Sequence, residues 1–148
     1  KTCVNQPLKI NQMQLSVAHT CMIDEGIQVN TMFEGGACRD GSLLNYARLH
    51  KITIQCWSPF QHGAIEGTFM GNPDYPKINK ALQTIGEKYG ITDSAAAVAW
   101  LLRHPADMQV IIGSCNLKRM REIVKACDVE LSREDWYWVY KMAGNVIP

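Results

Sequence analysis

No apolar run in this chain approaches the roughly 18 residues that cross a bilayer, so no membrane span is expected. Charge of one sign is missing too. Fifteen Lys and Arg stand against 14 Asp and Glu, a formal net charge of +1, and there is no basic block that would bring the chain to nucleic acid. The six cysteines (3, 21, 38, 56, 115 and 127) form no C-x-x-C pair, and none of the four histidines (19, 50, 62 and 104) stands at metal-ligand spacing. No metal site is therefore expected. The thiols read as reduced, which places the protein in the cytoplasm. Cys56 and Cys115 fall in apolar or turn segments, where a thiol packs as a small hydrophobe. The opening KTCVNQPLKI is polar, with neither an initiating Met nor an apolar signal region, and the chain reads as a piece of a longer protein. What is present suits a folded domain. The chain is 47% apolar and 20% charged over 148 residues, enough for one region with a real core.

Along the chain, Ile10, Met13 and Leu15 alternate with polar residues and predict a strand over 8–16. Residues 17–41 read as loop, broken by Gly35, Gly36 and Gly41, after which Asp40, Gly41 and Ser42 offer caps for a short helix. That helix, LLNYARLH, has Leu43, Leu44, Ala47 and Leu49 as its apolar stripe. ITIQCWSPF (52–60) predicts a second strand, ended by Ser58-Pro59, and a Gly-rich loop follows over 63–72. PKINKALQTIGEKYG predicts a helix that stops at Gly90. Thr92, Asp93 and Ser94 cap the next, SAAAVAWLLRHP, which is apolar nearly all round and so expected to be buried. MQVIIGS predicts a third strand and NLKRMREIVKACD a helix after it. Ser132 with Asp135 makes a variant capping box before REDWYWVYKMAG. Strands separated by helices favour a parallel sheet, and three of them make half a barrel or a small open sheet.

Several residues bear on chemistry. Gln12 follows Asn11 in the first strand. It reads either as a surface-facing side chain or as an inward amide that can bond a ligand carboxamide on both donor and acceptor. Trp57 closes the second strand, either as a core or rim residue or as a flat face for a planar ring. VIIGSCNLKRMREIV (110–124) runs from buried strand to small-residue turn to basic helix start. Such a helix start can bind a phosphate through free N–H groups, but it is also what an ordinary strand, turn and solvated helix look like. Arg119 lies five residues after Ser114, so a hydroxyl and a guanidinium can converge on one anion; an exposed Arg on a helix face is the plainer reading. His104 reads as a helix end and His50 as a last-turn cation, while His62 lies in a loop after a strand end. Three of these candidates lie at carboxyl ends of strands, the edge where α/β folds build ligand sites.

In order and type, NQMQLS (11–16), ITIQCWSPFQHG (52–63), VIIGSCNLKRMREIV (110–124) and ELSREDWYWVY (130–140) resemble the carboxyl half of an aldo-keto reductase, along essentially the whole chain. The resemblance implies an α/β fold, the C-terminal half of a (β/α)8 barrel with about three parallel strands and flanking helices. Residues 1–148 are then one region, with the amino-terminal half of the barrel absent from it. It implies NADPH as cofactor and a small carbonyl compound as substrate. Gln12 then matches the glutamine that holds the nicotinamide carboxamide. Trp57 and Ser58 match the aromatic-Ser-Pro whose ring stacks on nicotinamide, with Trp for the commoner Tyr. Phe60, Gln61 and His62 follow the pyrophosphate, Ser114 and Arg119 the 2′-phosphate, and Glu122 the adenine. Gly113 stands where many members have Lys and Ile123 where Asn is common, which weakens the expected grip on the adenosine phosphate without removing it. The family's catalytic Asp, Tyr, Lys and His lie on earlier strands. None of Tyr46, Tyr75, Tyr89, Tyr137 and Tyr140 stands in the matching motif, so no catalytic residue is assigned here.

The implied function is an NADPH-dependent oxidoreductase that reduces aldehydes or ketones to alcohols. The chain would be its cofactor-binding C-terminal fragment, inactive alone and self-associating, as a homodimer, to cover its open edges. The alternative is a non-catalytic nucleotide-binding or half-barrel assembly module.

Overall fold

Among the described residues, three strands form one parallel sheet in the order β1-β2-β3: β1 (Ile10–Gln14), β2 (Thr53–Trp57) and β3 (Gln109–Val110). The structure, a computed structural model, describes residues 5–28, 42–62 and 67–148. Helices α1 (Cys21–Ile27) and α2 (Ser42–Leu49) lie between β1 and β2, and α3 (Pro76–Tyr89) and α4 (Asp93–Leu102) between β2 and β3. After β3 come α5 (Leu117–Ile123), a 3₁₀ turn (Val124–Asp128) and α6 (Arg133–Met142).

The core lies between the sheet and its helices. On β2, Ile54 and Cys56 are buried on the helix side, and burial pushes the Cys56 thiol up to about 12. Helix α4 is buried along Ala95–Leu101, as its all-round apolar sequence implies. Trp100 and Trp136 stack with centroids 4.7 Å apart and planes 4° from parallel, and each indole N–H donates to the other's carbonyl at 2.9 Å. Thr92 caps α4 by accepting from the Ala95 N–H. Ser132 accepts from the Asp135 N–H, one half of the expected capping box. The reciprocal half is not made, because the Asp135 carboxylate accepts instead from Lys88 (2.7 Å) and Tyr89 (2.6 Å) on α3. Burial opposes that charge, but these bonds prevail and hold the carboxyl below its ordinary range.

Four expectations need correction. Residues 17–41 are not all loop, since Cys21–Ile27 is helical; the segment is short, carries Gly26 and has no side-chain cap, so its periodicity is faint. The third strand is two residues rather than seven. Beyond Val110 the ladder continues only as the Ile111 N–H to Cys56 O bond, before the chain turns at Gly113 with φ +55°. The helix predicted over 116–128 is α-helical only to Ile123 and tightens into the 3₁₀ turn. On α2, Ala47 is buried but Leu43 and Leu49 are exposed, so the four-residue stripe is not a core face. The proposed caps Asp40 and Gly41 lie outside the described residues.

Candidate functional site

The sheet's two faces differ in chemistry. Opposite Ile54 and Cys56, the other face carries a glutamine ladder. Gln12 Nε2 donates to Gln55 Oε1, and Gln55 Nε2 to Gln109 Oε1, each at 3.0 Å. Because side chains alternate along a strand, Gln14 and Trp57 stand on this same face two residues nearer the carboxyl edge, in register with each other.

At that edge lies a cleft of about 600 Å³, lined by Trp57, Ser58 and Phe60 from the end of β2 and by Gly113, Ser114 and Arg119 from the end of β3. Five of the eight residues singled out from sequence thus meet in one place. The two turns that flank it are both left-handed, at Ser58 (φ +50°) and Gly113 (φ +55°). Glycine adopts that conformation freely, whereas at Ser58 it stores strain of about 1–3 kcal/mol, a cost often found at functional sites. The β2 turn is pinned in place. Ser16, fully buried, donates from its hydroxyl to the Gln61 carbonyl at 2.6 Å, and the Gln61 N–H donates to Ser58 O at 3.1 Å.

Arg119 is exposed, and its guanidinium has no hydrogen bond or ion pair among the described residues. Its backbone N–H is taken by the Asn116 side chain. Helix α5 has seven residues and is capped in this way, so anion binding here falls to the side chains of Arg119 and Ser114 rather than to a helix start. Ser114 Oγ accepts from the Asn116 N–H at 3.3 Å and keeps its own O–H to donate.

The other three candidates lie outside the cleft lining. Gln12 is on the open face, in the ladder. His62 faces the Tyr75 ring at 5.6 Å. Glu122, half-buried, is three residues after Arg119 on α5. Cys115, expected to pack, is an exposed thiol, because the chain leaves the sheet before reaching it; Cys21, Cys56 and Cys127 are also free. His104 is structural. Burial first, and the charge of Arg48 second, lower it to about 4, and its neutral Nδ1 accepts from the Ala106 N–H at 3.2 Å. The His50 ring lies against Tyr46, with centroids 4.1 Å apart and planes tilted by 45°. Sequence reasoning missed Ser94 and Met70, which also line the cleft. In sequence Ser94 is legible only as part of a helix cap, and Met70 carries no signal in a Gly-rich loop. Among the described residues, no helix is long and apolar enough to cross a membrane.

The Aldo/keto reductase family matches residues 36–142, a span that holds the whole cleft and leaves out Gln12. A 6-dehydroglucose reductase of Agrobacterium fabrum is 36% identical over 100 residues, 68% of this chain and 32% of that protein. Among solved structures, a thermostable aldo-keto reductase crystallised with the inhibitor epalrestat superposes with a TM-score of 0.64 at 18% identity, covering 95% of this chain and 42% of that one. An aldo-keto reductase complexed with NADPH gives 0.61 at 19% identity, covering 95% and 37%. The chain spans about a third of the length of the curated relatives it matches, and its three strands and their helices take the fold of part of such a barrel.

Proposed function

This chain belongs to the aldo/keto reductase family, and from that premise we propose that residues 1–148 form the cofactor-binding, carboxyl-terminal part of an NADPH-dependent reductase of aldehydes and ketones in the cytoplasm. The observation that carries the reading is the cleft itself, whose lining includes both the indole of Trp57 and Arg119, whose guanidinium has no partner among the described residues. That suits a ligand with a planar ring at one end and an extra phosphate at the other.

When bound, NADPH supplies the hydride that reduces a carbonyl carbon. The chain's own residues bind and orient. Trp57 offers its face to the nicotinamide. Ser58, Phe60 and His62 lie along the pyrophosphate, the strained turn at Ser58 bringing backbone close to the cleft. Ser114 and Arg119 take the 2′-phosphate by hydroxyl and charge-assisted bonds. Glu122 stands by the adenine and Gln12 by the carboxamide. No residue of the chain is given a part in proton transfer, and the 148 residues alone are expected to reduce no carbonyl compound.

Fluorescence tests this reading. NADPH should quench tryptophan emission of the chain, and Trp57→Ala should remove most of that quenching while leaving Trp100, Trp136 and Trp138 in place. Quenching that survives the substitution would return Trp57 to the rim of the core.

Self-association belongs to the same reading. Among the described residues β1 and β3 each pair only with β2, so each leaves a strand edge open. Beside β3 lies an apolar groove of about 700 Å³, lined in part by Leu102, Met108, Leu117 and Met120. Open edges of this kind pair with another chain, most simply about a two-fold axis. Light scattering is expected to give at least the mass of a dimer; a stable monomer would refute the edge argument.

A further inference from the structure

The two ends of the glutamine ladder differ in kind. Its bonds run one way across the sheet, from Gln12 to Gln55 to Gln109, through residues in register on adjacent strands. A primary amide carries an acceptor oxygen and a donor nitrogen. Three amides joined head to tail therefore leave an acceptor at one end and a donor at the other. Gln12 Oε1 is left over at β1 and Gln109 Nε2 at β3; both residues are exposed, and neither atom has a hydrogen bond among the described residues. Turning all three amides over would swap the ends and keep them opposite. The same two strands carry the open edges of the sheet.

We propose that copies of this chain join head to tail, the β3 edge of one against the β1 edge of the next. All three strands are parallel, so a parallel β1 beside β3 continues the sheet in its own pattern. With Gln12 of the next copy level with Gln109, Gln109 Nε2 donates to that Gln12 Oε1 and the ladder crosses the seam. Setting β3 against β3 would bring donor end to donor end, and β1 against β1 acceptor end to acceptor end. Apolar surface flanks both edges. The groove beside β3 is lined in part by Val110, Leu117 and Met120, while Leu8 and Ile10, at the start of β1, are each more than half exposed. Two copies that meet at both seams close about a two-fold axis. This pairing rests on the self-association reading above and adds to it which edges meet.

Sedimentation velocity on the 148-residue chain without nucleotide tests the pairing, with Gln109→Glu and Gln12→Lys. The first turns the donor end into an acceptor, and the second turns the acceptor end into a donor. Each new side chain can still make its bond to Gln55. Either variant alone is expected to raise the dissociation constant by at least about tenfold. An equal mixture of the two is expected to associate again, because one seam then sets the new carboxylate against the new ammonium and the other seam is unaltered. Parent-like association of either variant alone would overturn the head-to-tail pairing and leave self-association standing; a loss in one variant only is the mark of β3 on β3 or of β1 on β1. A mixture that stays dissociated would overturn it too. Near-ultraviolet circular dichroism of the stacked Trp pair reports folding. Should a charged variant not fold, Gln109→Met and Gln12→Met remove the end groups without adding charge, and unchanged association in either would overturn the pairing. A monomeric unsubstituted chain would overturn the self-association reading and the pairing together.

Discussion

Trp100→Ala is expected to lower the unfolding free energy by about 3–5 kcal/mol, the range for deleting a fully buried large aromatic. Trp100 is 1% exposed and joins two helices at once. Its ring stacks on Trp136, which in turn stacks on Tyr140 at 5.8 Å, so the substitution opens a cavity between α4 and α6. It also removes the indole donor to Trp136 O. A domain of this size holds only about 5–15 kcal/mol in total, so the variant should be largely unfolded well below the parent's midpoint in urea. Trp100→Phe keeps a stacking ring and loses only the donor, and should cost clearly less. A loss below about 1 kcal/mol for the alanine variant would mean that the Trp pair does not hold α4 to α6.

Arg119→Ala is expected to weaken NADPH by roughly tenfold to a hundredfold and to leave NADH nearly unchanged, the loss of a charge-assisted bond of about 1.5–3 kcal/mol to a charged group. Arg119 lines the same cleft as Trp57, and its guanidinium has no competing carboxylate among the described residues. Its charge is therefore available to the one phosphate that distinguishes the two cofactors. Because Arg119 is exposed, the NADPH preference should also shrink as salt screens the pair. Arg119→Lys keeps the charge but not the fork, and should fall between parent and alanine. Equal weakening of both cofactors would move Arg119 off the extra phosphate.

The parts legible in sequence are those fixed by strong local signals. The alternation around Ile10 and Met13 and the branched run before Trp57 place β1 and β2 to within a few residues. Thr92 and Ser132 mark their helix starts because a hydroxyl there accepts from a backbone N–H three residues on. The parts that were not legible depend on neighbours distant in sequence. Helix α1 is tied down from the other end of the chain, by Tyr140 donating to Asp24 at 2.7 Å. Likewise the length of β3 is set by its partner and by the turn that follows, since only Gln109 and Val110 lie in register with β2 before the chain turns at Gly113. Of the site, a turn motif can show that Ser114 and Arg119 lie near a strand end. Only the parallel pairing of β2 with β3 brings them to the same cleft as Trp57.

The most direct measurement is calorimetric titration of the unsubstituted 148-residue chain with NADPH and then NADH at low salt. The expected result is saturable binding of NADPH, at least tenfold tighter than NADH, the preference owed to Arg119 and Ser114. Equal affinity for the two, or no binding of either, would contradict the reading of this cleft as a site for NADPH.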